Sequence, residues 1–408
     1  MDAHQVVNEY VLLGLRLDRL EPGAVEAFAG DPLLRHRAAR EAPPAPSRLV
    51  ASVQRLRAAL PGCGLSAPRE EFITAQLPAL ECTAHRLAGR ELPLADTAER
   101  CFQVHPRPGD PDDYRRVHAE LAAVLPGRGD PAIRLARLRA AEAVPADSLS
   151  AAVSALSRAL RAQARAEIGL PAQESVRFRL VRDRPWTGLH RYLGDFRSLV
   201  AVNADHEHWA GQLPWLVAHE SYPGHHTDQC RKESASAQRP ELALALRDTP
   251  QSVISEGLAD LGLRIAVGPG WGRWAAEVLA GAGVAMDGEL AERVQGLLRQ
   301  LSRVRWDAAL LLHDRGADAG TAVRHLRRWG LMSERRARAL VEFLADRRRA
   351  VRTAAYVEGG RLVGSWLGAC PARGDRVRRL LDEAWTPRAL ARELGCLPQA
   401  EAGCSVRR

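Results

Sequence analysis

Pro223 interrupts a helical run at the point where that run carries its most reactive residues, His219-Glu220-Ser221-Tyr222-Pro223-Gly224-His225-His226. The uninterrupted pattern, H-E-x-x-H, sets two His one helical turn apart to hold Zn²⁺, with the Glu beside a bound water. Here Pro occupies the second His position, and a His pair stands two and three residues beyond it. On a continuous helix at about 100° per residue, His225 would lie roughly 120° away from His219. His226 would return to the same face, but about 10.5 Å further along the axis. Proline lacks the N–H that would bond the His219 carbonyl, and its ring clashes with that oxygen. Gly224 admits backbone angles closed to other residues. The pair is therefore expected to bulge the helix and re-phase the residues downstream of it. His225 is the expected second ligand, and His226 is the alternative.

A Pro-Gly turn carrying an exposed His pair would fit the same eight residues, so a third ligand decides between the two readings. Thr249-Pro250 reads as an N-cap and a first helical residue, opening a helix to about residue 266. Glu256 and Asp260 sit one turn apart on it, among Ile254, Leu258 and Leu261. Such a pair suits a carboxylate ligand, Glu256, and a second carboxylate, Asp260, that orients a ligand His. Trp215-Leu216-Val217-Ala218 form an apolar approach to His219. Upstream, residues 198–203 read as a short strand and residues 175–181 as its partner. The stretch 199–203 is the expected edge against which an extended peptide would pair.

H-E-S-Y-P-G-H-H, with S-E-G-L-A-D some thirty residues beyond it, resembles the bacterial domain-of-unknown-function 885 family. That family is similar to the gluzincin metallopeptidases, whose zinc is held by two His and a downstream Glu. The resemblance covers roughly residues 175–365. It implies Zn²⁺ held by His219, His225 and Glu256, and Glu220 as the base that takes a proton from water. It also implies Arg305 as a holder of a substrate carboxylate and Tyr356 or His313 as donors to a developing oxyanion. The chain departs from the family downstream. Ala309-Leu310-Leu311 replaces an Asp-Thr-Gly, and Ala350-Val351-Arg352 replaces a Pro-Gly-Gln.

Composition narrows the remaining classes. The net charge of +9 does not mark a nucleic-acid groove, because the basic residues are nearly all Arg spread among acids along helices. No apolar stretch approaches the 18 or more residues of a membrane span. Residues 1–5 lack the basic and apolar regions of a signal peptide, so a cytoplasmic address is expected. Seven Cys with no C-x-x-C pair indicate neither a disulfide framework nor a Cys-based metal site. His206-Glu207-His208 looks metal-like, but this spacing on a loop after a strand suits solvent exposure.

The expected architecture is mainly α, a zincin-like helical protein with a small β-sheet beside the metal-binding helix. Residues 1–165 form an N-terminal helical wall or lid, with apolar helical spacing at 6–20, 49–60 and 148–168. Residues 166–408 form the catalytic region, with strands in 170–205, metal helices in 212–266 and C-terminal helices in 287–400. Two of those helices are expected at 289–313 and 333–357. The expected function is cleavage of an amide bond in a peptide or small amide, with no specific nucleic-acid or membrane partner. An inactive relative with structural zinc and a metal-free helical binding module are the alternatives.

Overall fold

The computed structural model describes residues 1–184, 186–369 and 373–396, and within them the chain is mainly helical with two small sheets. The first part runs α1 (Ala3–Leu20), β1 (Val25–Phe28), α2 (Pro32–Arg40), α3 (Pro46–Ala59), α4 (Ala67–Leu87), α5 (Leu94–Phe102), α6 (Pro111–Val124), α7 (Pro131–Ala141) and α8 (Ala146–Glu167). The middle runs β2 (Ser175–Val181), β3 (Gly188–Gly194), β4 (Arg197–Asn203), α9 (Leu213–Glu220), α10 (His225–Ala235), β5 (Leu244–Leu246) and α11 (Pro250–Ala266). The rest comprises α12 (Trp271–Ala280), α13 (Gly288–Gln300), α14 (Arg303–His313), α15 (Ala319–Gly330), α16 (Glu334–Ala345), α17 (Arg347–Gly368), α18 (Arg373–Asp382) and α19 (Pro387–Cys396). Positions 397–400 of the expected C-terminal span lie outside the described residues.

Apolar residues at helical spacing draw α1, α3 and α4 into one core through Val6, Tyr10, Leu13, Val53 and Phe72. A second core joins α5 and α6 to α14, α15, α16 and α17. A third packs α8 and α12 around β4 and α9. Helix α11 is buried on nearly every side, which its small and apolar sequence permits.

Several boundaries differ from the sequence-based expectation. The run at 289–313 divides at Leu301-Ser302, where both amides bond carbonyls three residues back and Leu301 turns inward. The run at 333–357 divides at Asp346, whose side chain accepts from the Arg348 amide and starts α17 afresh. Thr249 does not cap α11 through its hydroxyl, which donates instead to the Leu246 carbonyl. In the larger sheet the order is β2-β4-β3, with β2 parallel and β3 antiparallel to β4. The stretch 199–203 is therefore central rather than an edge, and β2 and β3 hold the two edges. The smaller sheet pairs β1 with β5 antiparallel. Its strands of four and three residues are too short to leave an alternating pattern.

Candidate metal centre

The Pro-Gly break is complete rather than a bulge. Helix α9 ends at Glu220, the Tyr222–Pro223 peptide is cis, and α10 begins at His225. Gly224 donates its amide to the Ala218 carbonyl at 3.0 Å. A Cβ at Gly224 would stand 2.0 Å from the His219 carbonyl oxygen, so the chain turns there only because the residue is glycine. Through this turn His219, at the end of α9, and His225, at the start of α10, come together with ring centroids 4.7 Å apart and planes at 87°.

Glu256 of α11 completes the group. One ligand atom from each of His219, His225 and Glu256 can be chosen so that all lie within 4.8 Å of one another. Glu256 Oε2 is 3.4 Å from His219 Nε2 and 3.6 Å from His225 Nε2. That oxygen is buried and makes no hydrogen bond. Burial opposes charge here, yet the Glu256 carboxylate lifts His225 to about 9. Burial likewise opposes the carboxylate, but the two imidazoles hold Glu256 well below the usual range. The group favours positive charge at its centre. An unpartnered carboxylate oxygen facing two imidazole nitrogens suits a divalent metal with mixed N and O ligands.

Glu256 and His225 have partners on their far sides, whereas His219 Nδ1 is buried without a hydrogen-bond partner. Glu256 Oε1 accepts from Arg352 Nη2 at 3.3 Å. Ser255 Oγ lies 3.4 Å from His225 Nδ1 and donates to Asp228 Oδ2 at 2.8 Å. Asp228 in turn pairs with Lys232, the chain's single lysine, at 2.5 Å and fully within the protein. His219 is flanked by the Trp215 ring at 5.0 Å. Asp260 does not reach a ligand His. Its Oδ1 accepts from the Trp215 indole at 3.2 Å and its Oδ2 from Arg299 at 2.7 Å. It supports His219 through the indole, because the Trp215 ring fills the space that direct contact would need.

His226 belongs to a different network. Its Nδ1 is 2.7 Å from Ser198 Oγ, and its Nε2 is 3.1 Å from Glu174 Oε2. Glu174 also accepts from Tyr222 at 2.6 Å and from Arg161 at 2.7 Å. Burial would raise the Glu174 pKa, but these donors bring it down to about 2. The network continues from Ser198 to His190, 2.8 Å away, whose ring lies 5.8 Å from that of His225.

The remaining site candidates divide. Glu220 is buried at the end of α9 beneath the first residue of β3. A Cβ at Gly188 would stand 3.2 Å from Glu220 Oε1, so this glycine leaves the carboxylate its room. Tyr356 is 37% exposed, the accessible face of an otherwise buried stretch of α17. Burial raises its pKa while Arg352 opposes the rise, and the Arg352 guanidinium that bonds Glu256 lies 6.0 Å from the Tyr356 ring. Arg305 is exposed on α14, with Tyr356 and Asp260 within electrostatic reach. His313 is not placed to serve as an oxyanion donor. Its Nε2 donates to the Leu344 carbonyl at 2.7 Å, and it lies among Glu91, Leu92, Asp314 and Arg347. Of the loop pair, His208 is held by the Asn203 carbonyl at 2.7 Å and Glu207 pairs with Arg335.

Arg352, Glu26, Glu174 and the Ser255–Asp228 contact escape sequence reasoning, since their partners are remote in the chain. The isolated lysine was the one available signal.

No family model matches the chain, and no curated protein matches it. Solved structures do. A candidate lipoprotein from Colwellia psychrerythraea superposes with a TM-score of 0.55 at 14% identity, over 85% of this chain and 66% of that one. A candidate lipoprotein of unknown function from Shewanella oneidensis gives 0.50 at 14% identity, over 93% and 77%. The chain thus spans just under two thirds of the Colwellia protein, and at this identity the likeness establishes the fold.

Proposed function

We propose that this protein is a zinc-dependent hydrolase of amide bonds, acting on a peptide or small amide and similar to the gluzincins. The observation that carries this reading is Glu256 Oε2, buried, unpartnered and facing both His219 and His225. When bound there, a divalent ion supplies a Lewis acid for water and for the scissile carbonyl. The chain's own residues supply the rest. Glu220, adjoining the first ligand and without a hydrogen-bond partner among the described residues, takes a proton from water and returns it to the leaving amine. The Tyr356 hydroxyl, protonated at neutral pH, donates to the carbonyl oxygen as charge develops. Strand β3, at the sheet edge above Glu220, offers backbone groups to an extended substrate.

An inactive relative is the second reading. It draws on Arg352, a resident cation on the third ligand, where the resemblance leads one to expect a neutral Gln.

Among the described residues no helix is long and apolar enough to cross a membrane. The two structural relatives are described as lipoproteins, so a cell-envelope address stands beside the cytoplasmic one.

Metal analysis of protein purified without a His-tag tests the reading. About one Zn²⁺ per chain is expected, with strong loss in His219→Ala and in Glu256→Ala. Full occupancy in both variants removes the assignment.

A further inference from the structure

Four side chains behind the metal group form one hydrogen-bonded line, and the direction of every bond in it follows from its far end. The line runs from Glu174, just ahead of β2, through His226 of α10 and Ser198 of β4 to His190 of β3. Its links are 3.1, 2.7 and 2.8 Å long. Ser198 is buried and its oxygen is taken up by both imidazoles, so the line is not the triad of a serine nucleophile.

Glu174 is an ionised carboxylate with no proton to give, and it accepts from Tyr222, Arg161 and Arg165. His226 Nε2 must therefore carry a proton towards it. Two guanidinium groups already stand on this carboxylate, and the His226 ring is wholly buried. A second ring proton would set a third cation there inside the protein. His226 Nδ1 is thus bare and accepts from the Ser198 hydroxyl, with the Cys230 sulfur further off at 3.7 Å. A hydroxyl has one proton, so Ser198 accepts in turn from His190 Nε2. An ordinary imidazole holds one proton at neutral pH. The line fixes that proton on Nε2 and leaves His190 Nδ1 as a lone pair.

That lone pair stands beside the metal group without belonging to it. The His190 ring is 5.8 Å from that of His225, yet the set able to share one ion is His219, His225 and Glu256. His190 Nδ1 has no hydrogen-bond partner among the described residues and reaches solvent. On β3, His190 shares a face with Gly188, which lies over Glu220. Because β3 is an edge strand, an extended peptide laid along it brings backbone N–H groups next to both residues.

We propose that His190 is a specificity-determining residue whose Nδ1 accepts a hydrogen bond from one backbone N–H of a peptide substrate. Ser198, His226 and Glu174 are positioning residues that hold it in the accepting tautomer. The proposal deepens the amide-hydrolase reading and rests on it for the ligand being a peptide. Its consequence is exclusion of proline, or of any N-alkylated residue, at that one position of the substrate.

The tautomer is read by NMR of full-length protein labelled with ¹⁵N-histidine and loaded with zinc at neutral pH, the His190 signals being those lost in His190→Asn. Nε2 should carry the proton and Nδ1 none, and Ser198→Ala should release that preference. A proton on Nδ1 in the wild type overturns the proposal. Binding is measured by fluorescence anisotropy on the zinc-loaded Glu220→Gln variant, so that cleavage does not intervene. The probes are N-terminally labelled Ala-Phe-Ala-Leu-Ala and analogues in which each internal backbone N–H in turn is replaced by an ester oxygen. At least one analogue should bind about tenfold weaker than the parent peptide. Adding His190→Phe should erase that difference, and His190→Asn, whose carbonyl oxygen takes the place of Nδ1, should restore part of it. If the Phe variant unfolds, Ser198→Ala should reduce the same difference. A series in which no loss depends on His190 or Ser198, or no measurable binding, overturns the proposal. A His190-dependent position with no cleavage by the wild type keeps the acceptor and removes the hydrolase reading. Cleavage without such a position does the reverse.

Discussion

Arg352 and Glu256 are joined across two helices, with the guanidinium on Oε1 of the very carboxylate whose Oε2 faces the paired imidazoles. The same guanidinium reaches Glu26 at 2.9 Å and Asp248 at 3.8 Å. Orientation and charge therefore act in opposite directions on a metal at this place. The hydrogen bond aims the ligand, while the positive charge opposes a dication and draws on the carboxylate.

Arg352→Gln retains hydrogen-bonding capacity and removes the charge. Charge should dominate, because Arg352 stands among three carboxylates that a dication would then serve alone. Zinc affinity is expected to rise by about tenfold, equivalent to about 1.4 kcal/mol, while the metal-free protein loses stability. Competition with a chromogenic chelator measures the first and thermal unfolding the second. A fall in affinity of similar size would make Arg352 an orienting group instead.

The His pair separates by a double comparison. His225→Ala should release the metal with a modest change in unfolding temperature. His226→Ala should keep the metal but lose roughly 3 kcal/mol, because it leaves the buried Glu174 and Ser198 without a shared partner. Metal content and denaturant unfolding of the two variants check this. The opposite pattern would assign the ligand to His226.

The octapeptide favours His225 over His226, and the structure groups His225 with His219 and Glu256, but the route to that grouping is not legible in it. Helical geometry left both rings misplaced, and the outcome depends on Gly224 meeting the Ala218 and His219 carbonyls. Glu174 and Ser198, which occupy His226, come from elsewhere in the chain. The long apolar periodicities of α1, α3 and α8 were legible because each buries one continuous stripe. The breaks at Leu301 and Asp346 were not, since both neighbouring helices keep good helix formers. Asp260 shows a further limit. Spacing determined the face it shares with Glu256, but the reach of the Trp215 ring between Asp260 and His219 is a property of packing.

Glu220→Gln preserves shape and removes the base. Metal content should stay unchanged and turnover should fall by about 10²–10⁴-fold. A mixed peptide library read by mass spectrometry supplies substrates without a guess at specificity. Cleavage at the wild-type rate would rule out Glu220 as the proton carrier.

Acid stability should report on Glu174. Its folded pKa, about 2, lies below the ordinary glutamate value of 4.5, so its contribution is complete above pH 4.5 and disappears as pH falls towards 2. The full contribution is up to about 3 kcal/mol. Denaturant unfolding between pH 6 and pH 2.5 should show a steeper loss in wild type than in Glu174→Gln. Parallel curves would show that other carboxylates govern the acid limit.

Gly257 and Gly359 meet backbone to backbone, and a Cβ on Gly257 would stand 2.3 Å from the Gly359 carbonyl oxygen. Beside the two backbones the nearest side chain is that of Val363, 2.7 Å from where the Gly257 Cβ would stand. Glu256 is adjacent to one glycine, and Arg352 and Tyr356 precede the other within two turns of α17. Glu256 and Tyr356 are consequently carried on two helices locked backbone to backbone. A hinge that widens an entrance is therefore expected to lie away from the Gly257–Gly359 seam, with α11 and α17 moving together.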